Sequence, residues 1–126
     1  ITSDNASVAE RLFRAFIERR EREARDLLDD GFTFTSPYDD AIDRDAYFER
    51  CWPNGDRFRD FVIERTGEAT DGAYVTYRVT TLDGTTFRNT EFLSIRDGKV
   101  IGVHVFFGAT YRGGAFIAKR VEAQTL

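Results

Sequence analysis

The sequence predicts an α+β domain in which helices come first and an antiparallel sheet follows. Two observations support this prediction. Up to about residue 55, apolar residues recur at the three- and four-residue steps of helices, and from Phe58 onward they alternate at the two-residue spacing of strands. Three Asp-Gly pairs, at 71–72, 83–84 and 97–98, divide this second part where β-hairpins would turn. Helices followed by a meander are typical of a sheet that is covered on one face.

Three helices and one short strand are predicted before the meander. The first helix spans about 5–18, and a short second helix ends at Asp30-Gly31. Residues 32–35 alternate as a short strand. The third helix starts after Asp43, a favourable N-cap, and ends at Pro53-Asn54-Gly55. The strands of the meander are predicted at 58–69, 73–82, 85–96 and 99–107.

Length and composition are those of one globular domain, which we expect to span 1–126. A chain of 126 residues can bury a sizeable core without disulfides or metal. Hydrophobic residues make up 41% and charged residues 32% of the chain, which is a globular composition. The net charge is −4, with 18 Lys and Arg against 22 Asp and Glu, so a nucleic-acid partner is not expected.

Metal sites and membrane segments are not predicted either. Cys51 is the single cysteine and His104 the single histidine, so a zinc site built from these residue types is excluded. No apolar run approaches the roughly 18 residues of a membrane span. We also see no leader before the first helix, and we expect a cytoplasmic protein without cofactor or membrane partner.

Aromatic residues are unusually frequent at 14% of the chain, and twelve of them are Phe. A Phe-rich core would account for this number. A pocket lined with aromatic rings would account for it equally well, and the two interpretations are compatible.

The register of the last hairpin decides which side chains share a face, because a slip of one residue swaps the two faces. A two-residue loop pairs Arg96 with Lys99 and places Glu91 opposite His104. A three-residue loop with a bulge pairs Ile95 with Lys99 instead.

The second register is favoured because it separates apolar from polar side chains. It places Glu91 opposite Val103. One face then collects Leu93, Ile95, Ile101, Val103, Val105 and Phe107. The other face collects Arg88, Thr90, Ser94, Arg96 and His104.

Two polar residues, Asn89 and Glu91, lie on the predicted apolar face and are the strongest site candidates. Burial among apolar side chains would raise the pKa of Glu91 and make it an acid, a base or a hydrogen-bond donor. The alternative is a structural pair with Arg78 or with a group on a helix. The turn at 83–84 has the same ambiguity of loop length, so either Tyr77 or Arg78 faces inward.

The opening Phe-Thr-Phe-Thr-Ser-Pro at 32–37 and the segment NTEFLSIRDGKVIGVHVFFG at 89–108 resemble the nuclear transport factor 2-like superfamily. This superfamily includes ketosteroid isomerases, limonene-epoxide hydrolases and SnoaL-type polyketide cyclases. The resemblance implies a cone-shaped α+β fold in which three N-terminal helices pack on a curved, mainly antiparallel sheet. It also implies a pocket for a small apolar molecule and a homodimer formed through the outer sheet face.

The resemblance makes Glu91 the expected catalytic residue and Asn89 a second polar group in the pocket. The other expected substrate-binding residues are Phe16, Tyr38, Trp52, Val103, Val105 and Phe107. Weaker candidates are Asp39, Asp40, Tyr77, Arg78 and His104. Asp39 and Asp40 follow Pro37 in a loop, where solvated turn residues are more usual, and His104 points away from the pocket in the favoured register.

Two mechanisms known from the superfamily lack residues in this chain. Where the steroid isomerase pattern has its base and its helix-one tyrosine, this sequence has Ser36 and Phe13, and Glu91 stands at the third position. Where the epoxide hydrolase pattern has an arginine between two acids, the arginine matches Arg78. The two acids fall on Thr80 and Val105.

Two functions therefore remain open. One is a cofactor-independent isomerase, cyclase or hydratase that acts through Glu91 on an apolar polycyclic or terpenoid-like substrate. The other is a non-catalytic module of the same fold that binds a hydrophobic ligand or a partner protein.

Overall fold

A computed structural model describes residues 4–117, so both ends of the predicted domain, 1–3 and 118–126, lie outside the described residues. The helices are α1 (Asn5–Ile17), α2 (Glu21–Leu27) and α3 (Arg44–Arg50), with a 3₁₀ helix at Trp52–Arg57. The strands are β1 (Leu28–Thr35), β2 (Ile42–Asp43), β3 (Phe58–Ala69), β4 (Gly72–Thr81), β5 (Thr85–Arg96), β6 (Lys99–Arg112) and β7 (Ala115–Phe116).

The strands form one sheet in the order β2-β1-β6-β5-β4-β3, with β7 paired to the end of β6. All neighbours are antiparallel except β1 and β6, which run parallel. Helix α1 packs on β3 and β4, and α3 packs on β1. The predicted fold class, three helices on a curved and mainly antiparallel sheet, is confirmed. Within residues 4–117, no helix is long and apolar enough to cross a membrane.

The second helix ends earlier than predicted, and the strand after it starts earlier. Helix α2 stops at Leu27, and Leu28 already belongs to β1, where it pairs with Val100. The Asp29 carboxylate accepts a hydrogen bond from the Gly31 backbone N–H (2.8 Å). Asp30-Gly31, which was predicted to end the helix, therefore lies at an irregularity within the strand. The predicted start of the third helix is confirmed, since Asp43 caps it by accepting a bond from Ala46 N (2.9 Å). Its predicted end is wrong, because the α-helix stops at Arg50 and the residues Pro53-Asn54-Gly55 lie in the 3₁₀ helix that follows.

The favoured three-residue loop of the β5-β6 hairpin is wrong, and the two-residue alternative is confirmed at the turn but not further along the strands. The turn is the two-residue one, because Arg96 pairs with Lys99 and both Asp97 (φ 53°) and Gly98 (φ 76°) are left-handed, as a type I′ turn requires. A register shift follows further along, where Ile95 pairs with Val100 but the preceding residue pairs with Gly102.

This shift restores the predicted separation of the two faces. It leaves one extra residue, Ile101, on β6, and beyond it Glu91 pairs with Val105. The partner expected in the favoured register was Val103, two residues away and therefore on the same face. The bulge thus has the same effect on side-chain orientation as the three-residue loop would have had.

The β4-β5 hairpin decides between Tyr77 and Arg78. Its loop has three residues, 82–84, with Gly84 in the left-handed region (φ 88°). Tyr77 consequently pairs with Asn89 and shares its inward face, whereas Arg78 pairs with Arg88 on the outer face.

A second irregularity lies in the pairing of β5 with β6, next to Asn89. The pairing shifts between Phe87 and Asn89, where Gly108 passes close to Arg88. A Cβ atom on Gly108 would lie 2.3 Å from the Arg88 carbonyl oxygen, so the backbone would have to move.

We predict that Gly108→Ala lowers the free energy of unfolding by about 1–3 kcal/mol, because overpacking against backbone is costly to relieve. Urea denaturation followed by circular dichroism would measure the change. Gly67→Ala is the matched control, since Gly67 also lies in a strand and a Cβ atom there would have no neighbouring atom within 4 Å. Equal effects of the two substitutions would contradict the prediction.

Candidate functional site

A cavity lies between the inner face of the sheet and the helices. The cavity can hold roughly five water molecules, since the volume open to their centres is about 70 Å³. Ten aromatic side chains contribute to its wall: Phe13, Phe16, Phe32, Phe34, Tyr47, Phe58, Phe61, Tyr77, Phe87 and Phe107. Polar side chains are few: Ser36, Asn54, Asn89 and Glu91. A concave, mostly apolar site with a few polar groups is typical of small-molecule binding.

Glu91 is the ionisable acid in this wall. It lies on β5 between Val75 of β4 and Val105 of β6. Its side chain is partly buried, and the surface that stays accessible lies in the cavity wall. Burial raises the pKa of Glu91 to about 7, and a hydrogen bond from Tyr77 offsets part of the rise.

A chain of hydrogen bonds leads from the β6 backbone to Glu91. The Gly108 N–H donates to Asn89 Oδ1 (3.4 Å), and Asn89 Nδ2 donates to the Tyr77 hydroxyl oxygen (3.1 Å). The Tyr77 hydroxyl donates to Glu91 Oε2 (2.6 Å). Asn89 is only 2% exposed and Tyr77 5% exposed, so their polar atoms depend on these bonds.

Two further ionisable side chains reach the cavity from α3 and its end. Burial, with a smaller contribution from Glu91, raises the pKa of Tyr47 far above its ordinary value. Burial and the Asp39 carboxylate raise the pKa of the Cys51 thiol to about 12. Both groups therefore stay neutral at neutral pH, and Glu91 changes charge in that range.

Six of the eight residues expected at the site lie in the cavity wall: Asn89, Glu91, Phe16, Val103, Val105 and Phe107. Tyr38 and Trp52 lie one layer behind it. The Tyr38 ring packs on Phe107 at 5.8 Å between centroids, and the Trp52 ring meets Phe16 edge-on at 5.2 Å. They support wall residues rather than form the wall.

Asp39 differs from the expectation of a solvated turn residue. Its side chain is only 9% exposed and accepts hydrogen bonds from Arg50 and from the Cys51 thiol. It is held by α3 and stands outside the cavity wall. Asp40 is exposed on the same loop, as expected.

Arg78 and His104 lie on the outer face of the sheet. Arg78 Nη1 is 3.2 Å from Glu64 Oε2, so the alternative in which Arg78 pairs with Glu91 is wrong. The His104 ring stacks on Phe106 at 4.7 Å between centroids, and both side chains are exposed. Neither Arg78 nor His104 reaches the cavity.

Sequence reasoning missed the part that Tyr47 and the start of β3 play in the site. Tyr47 lies in the predicted third helix, but helical spacing does not say whether a residue meets core or cavity. Phe58 and Phe61 line the cavity because β3 is irregular between Phe58 and Asp60, which breaks the alternation. No local sequence signal marks that irregularity.

Three helices on a curved, mainly antiparallel sheet form a domain of the nuclear transport factor 2-like type. The sequence pattern of the SnoaL-like domain matches residues 9–103, and the chain belongs to that family. No protein of curated function matches the chain. Among residues 4–117, no three His, Cys, Asp or Glu side chains are grouped as metal ligands would be.

Solved structures similar to this chain share its fold at low sequence identity. A provisionally assigned ketosteroid isomerase from Kribbella flavida is 19% identical with a TM-score of 0.71, over 97% of this chain and 93% of that one. An NTF2-like protein of unknown function from Cytophaga hutchinsonii is 16% identical with a TM-score of 0.68, over 85% and 92%. AclR, a provisionally assigned hydroxylase from Streptomyces galilaeus, is 13% identical with a TM-score of 0.70, over 83% and 89%.

The raised pKa of Glu91 makes the stability of the protein depend on pH. Between its ordinary value of 4.5 and about 7, the folded protein keeps a proton that the unfolded chain releases. The free energy of unfolding therefore falls as pH rises through this window, by about 3 kcal/mol, and levels off above it.

We predict that Glu91→Gln removes this dependence, so the variant gains about 3 kcal/mol relative to the wild type between pH 4.5 and 7.5. Urea denaturation at a series of pH values would measure the difference. Glu64→Gln is the control, because the bond from Arg88 lowers the pKa of Glu64 and moves its own window below pH 4.5. If the free energies of unfolding of Glu91→Gln and the wild type differed by the same amount at every pH, the carboxyl group would not be buried as described.

Proposed function

We propose that this protein is a cofactor-independent enzyme of the isomerase, cyclase or hydratase kind. Its substrate is a small apolar molecule of polycyclic or terpenoid-like character, and Glu91 transfers the proton. The observation that carries the proposal is one buried carboxyl group, tethered through a single oxygen, in a cavity walled by aromatic side chains.

The environment of Glu91 suits it to act as both acid and base. With a pKa of about 7, the carboxyl group is present in both protonation states at neutral pH. It can take a proton from a substrate carbon or oxygen and return it at another position, which an isomerisation or cyclisation requires. No second titrating partner is needed for such a step.

The remaining wall residues favour this route over the two mechanisms whose residues are missing. Ser36 and Phe13 line the cavity at the positions where steroid isomerases would have a carboxylate base and a tyrosine. Neither side chain can take a proton from carbon. The chemistry proposed for this site therefore depends on Glu91 alone, with Tyr77 holding its carboxyl group.

We also propose that two copies of the chain pair through the outer sheet face. Tyr74 and Phe106 are each 51% exposed there, and the Tyr74 ring packs on Phe92 at 4.7 Å between centroids. Large exposed rings on one face are typical of a protein contact. Sedimentation equilibrium should give twice the chain mass of 14.5 kDa, and a monomer would exclude the dimer.

The proposed activity is tested with a panel of steroids, terpenoid epoxides and aromatic polyketides. Melting temperature identifies the compounds that bind, and mass spectrometry identifies those converted. We expect ligands to stabilise both the wild type and Glu91→Gln, whereas conversion by the variant falls by about 10²–10⁴-fold because the proton-transfer group is gone. Glu64→Gln, which alters a glutamate on the opposite face, should convert as the wild type does.

The pH profile separates proton transfer from a merely structural role of Glu91. The rate should show a step near pH 7, and Tyr77→Phe should move the step to higher pH, since the hydroxyl that lowers the pKa of Glu91 is lost. Binding without conversion by any variant would instead identify a ligand-binding module. An absence of binding would mean that the cavity is only a loosely filled core.

A further inference from the structure

The hydrogen bonds around Glu91 have a fixed direction. The Gly108 N–H donates to the carbonyl oxygen of the Asn89 amide, so the amide nitrogen must point to the Tyr77 hydroxyl. This nitrogen donates to the hydroxyl oxygen, and the tyrosine's own proton is left for Glu91 Oε2. Oε2 is therefore an occupied acceptor, and Tyr77 has no proton to offer to a ligand.

The other carboxyl oxygen of Glu91, Oε1, faces the cavity. Within residues 4–117 no hydrogen bond reaches it, and that part of the chain contains no enclosed side-chain oxygen or nitrogen without a partner. Oε1 must consequently keep accessible surface, and the accessible surface of Glu91 is in the cavity wall. A ligand that carries a hydrogen-bond donor can reach it.

No cationic side chain of residues 4–117 forms an ion pair with Glu91. Arg19, which stacks on the wall residue Phe16, is already engaged elsewhere. Its guanidinium donates to the Trp52 carbonyl oxygen (2.8 Å), lies 3.2 Å from Asp56 and covers the Trp52 ring. A positive charge next to the ionised form of Glu91 would therefore come from a ligand.

The aromatic wall favours a positive charge as well. Aromatic rings attract cations through their π electrons, most strongly where water is excluded. The stacked rings of Tyr77 and Phe61, 4.7 Å apart, and the tilted rings of Phe16 and Phe58 stand in the same wall as the Glu91 carboxyl group. An acid without a cation inside such a wall is the arrangement that binds organic ammonium groups.

We propose that the cavity preferentially binds a small organic cation, a protonated tertiary amine with apolar substituents. Its N–H group donates to Oε1 of Glu91, and its carbon groups contact the aromatic wall. The proposal rests on the proposed function only in taking Glu91 as the ligand-facing group, and a single ring with a short amine arm is the simplest ligand that tests it.

The affinity for such an amine should follow the charge of Glu91. The titratable groups that face the carboxyl group are Tyr77 on β4, and Tyr47 and Cys51 on α3 and its end, and raised pKa values keep all three neutral. The charged groups one layer further out are Arg19 and Asp39, each held in an ion pair. A cation prefers the carboxylate, so its binding strengthens as pH rises through the pKa of Glu91.

The experiment compares N,N-dimethylbenzylamine with isobutylbenzene, its uncharged carbon isostere, by NMR titration at pH 8. We expect the wild type to bind the amine at least about tenfold more tightly, and Glu91→Gln to lose this preference while still binding isobutylbenzene. Between pH 6 and 8 the wild type's affinity for the amine should rise about tenfold, as the ionised fraction of Glu91 does. The affinity for isobutylbenzene should not rise.

Equal binding of the two compounds by the wild type, or an amine affinity that does not change with pH, would overturn this proposal. The pH series uses only the wild type, so it remains decisive even if Glu91→Gln folds poorly. Failure here leaves the proposed function intact if neutral substrates are still converted through Glu91. Conversely, an amine preference without any conversion would support the cation site and reject the enzymatic role.

Discussion

Burial of the Glu91 carboxyl group is the physical constraint on which the rest of the site depends. An acid enclosed by apolar side chains loses its hydration, and only a few protein groups replace it. Here Tyr77 supplies one hydrogen bond, and Asn89 keeps that tyrosine oriented. The wall therefore holds a carboxyl group that is fixed through one oxygen, open through the other, and close in energy between its charged and neutral forms.

The irregularities of β5 and β6 make this arrangement possible. The extra residue at Ile101 brings Glu91 and Val105 to the same face, and the shift beside Arg88 lets Gly108 approach closely enough to hold Asn89. Bulges also increase the twist and bending of a sheet. The deviations that curve the sheet around the cavity thus also orient its polar groups.

Periodicity and turn residues predicted the order of the three helices and the four meander strands, the approximate places of the three hairpins and the inward face of β5, because these depend on local backbone preferences and on a period of two. Glu91 and Asn89 stood out as polar residues on that face. The pairing partners, the early start of β1 at Leu28 and the inward direction of Tyr47 could not be predicted. They are set by contacts between distant parts of the chain, and a bulge such as that at Ile101 has no marker in a single sequence.

The alternation of side chains along β4 and β5 also separates two surfaces within the same strands. Tyr77 and Asn89 point into the cavity, while their neighbours Arg78 and Arg88 join Glu64 outside. In β4 and β5, substitutions at odd-numbered positions change the wall of the cavity, and substitutions at even-numbered positions change the outer surface of the sheet. Ligand choice and assembly can therefore diverge independently in related chains, although one strand encodes both.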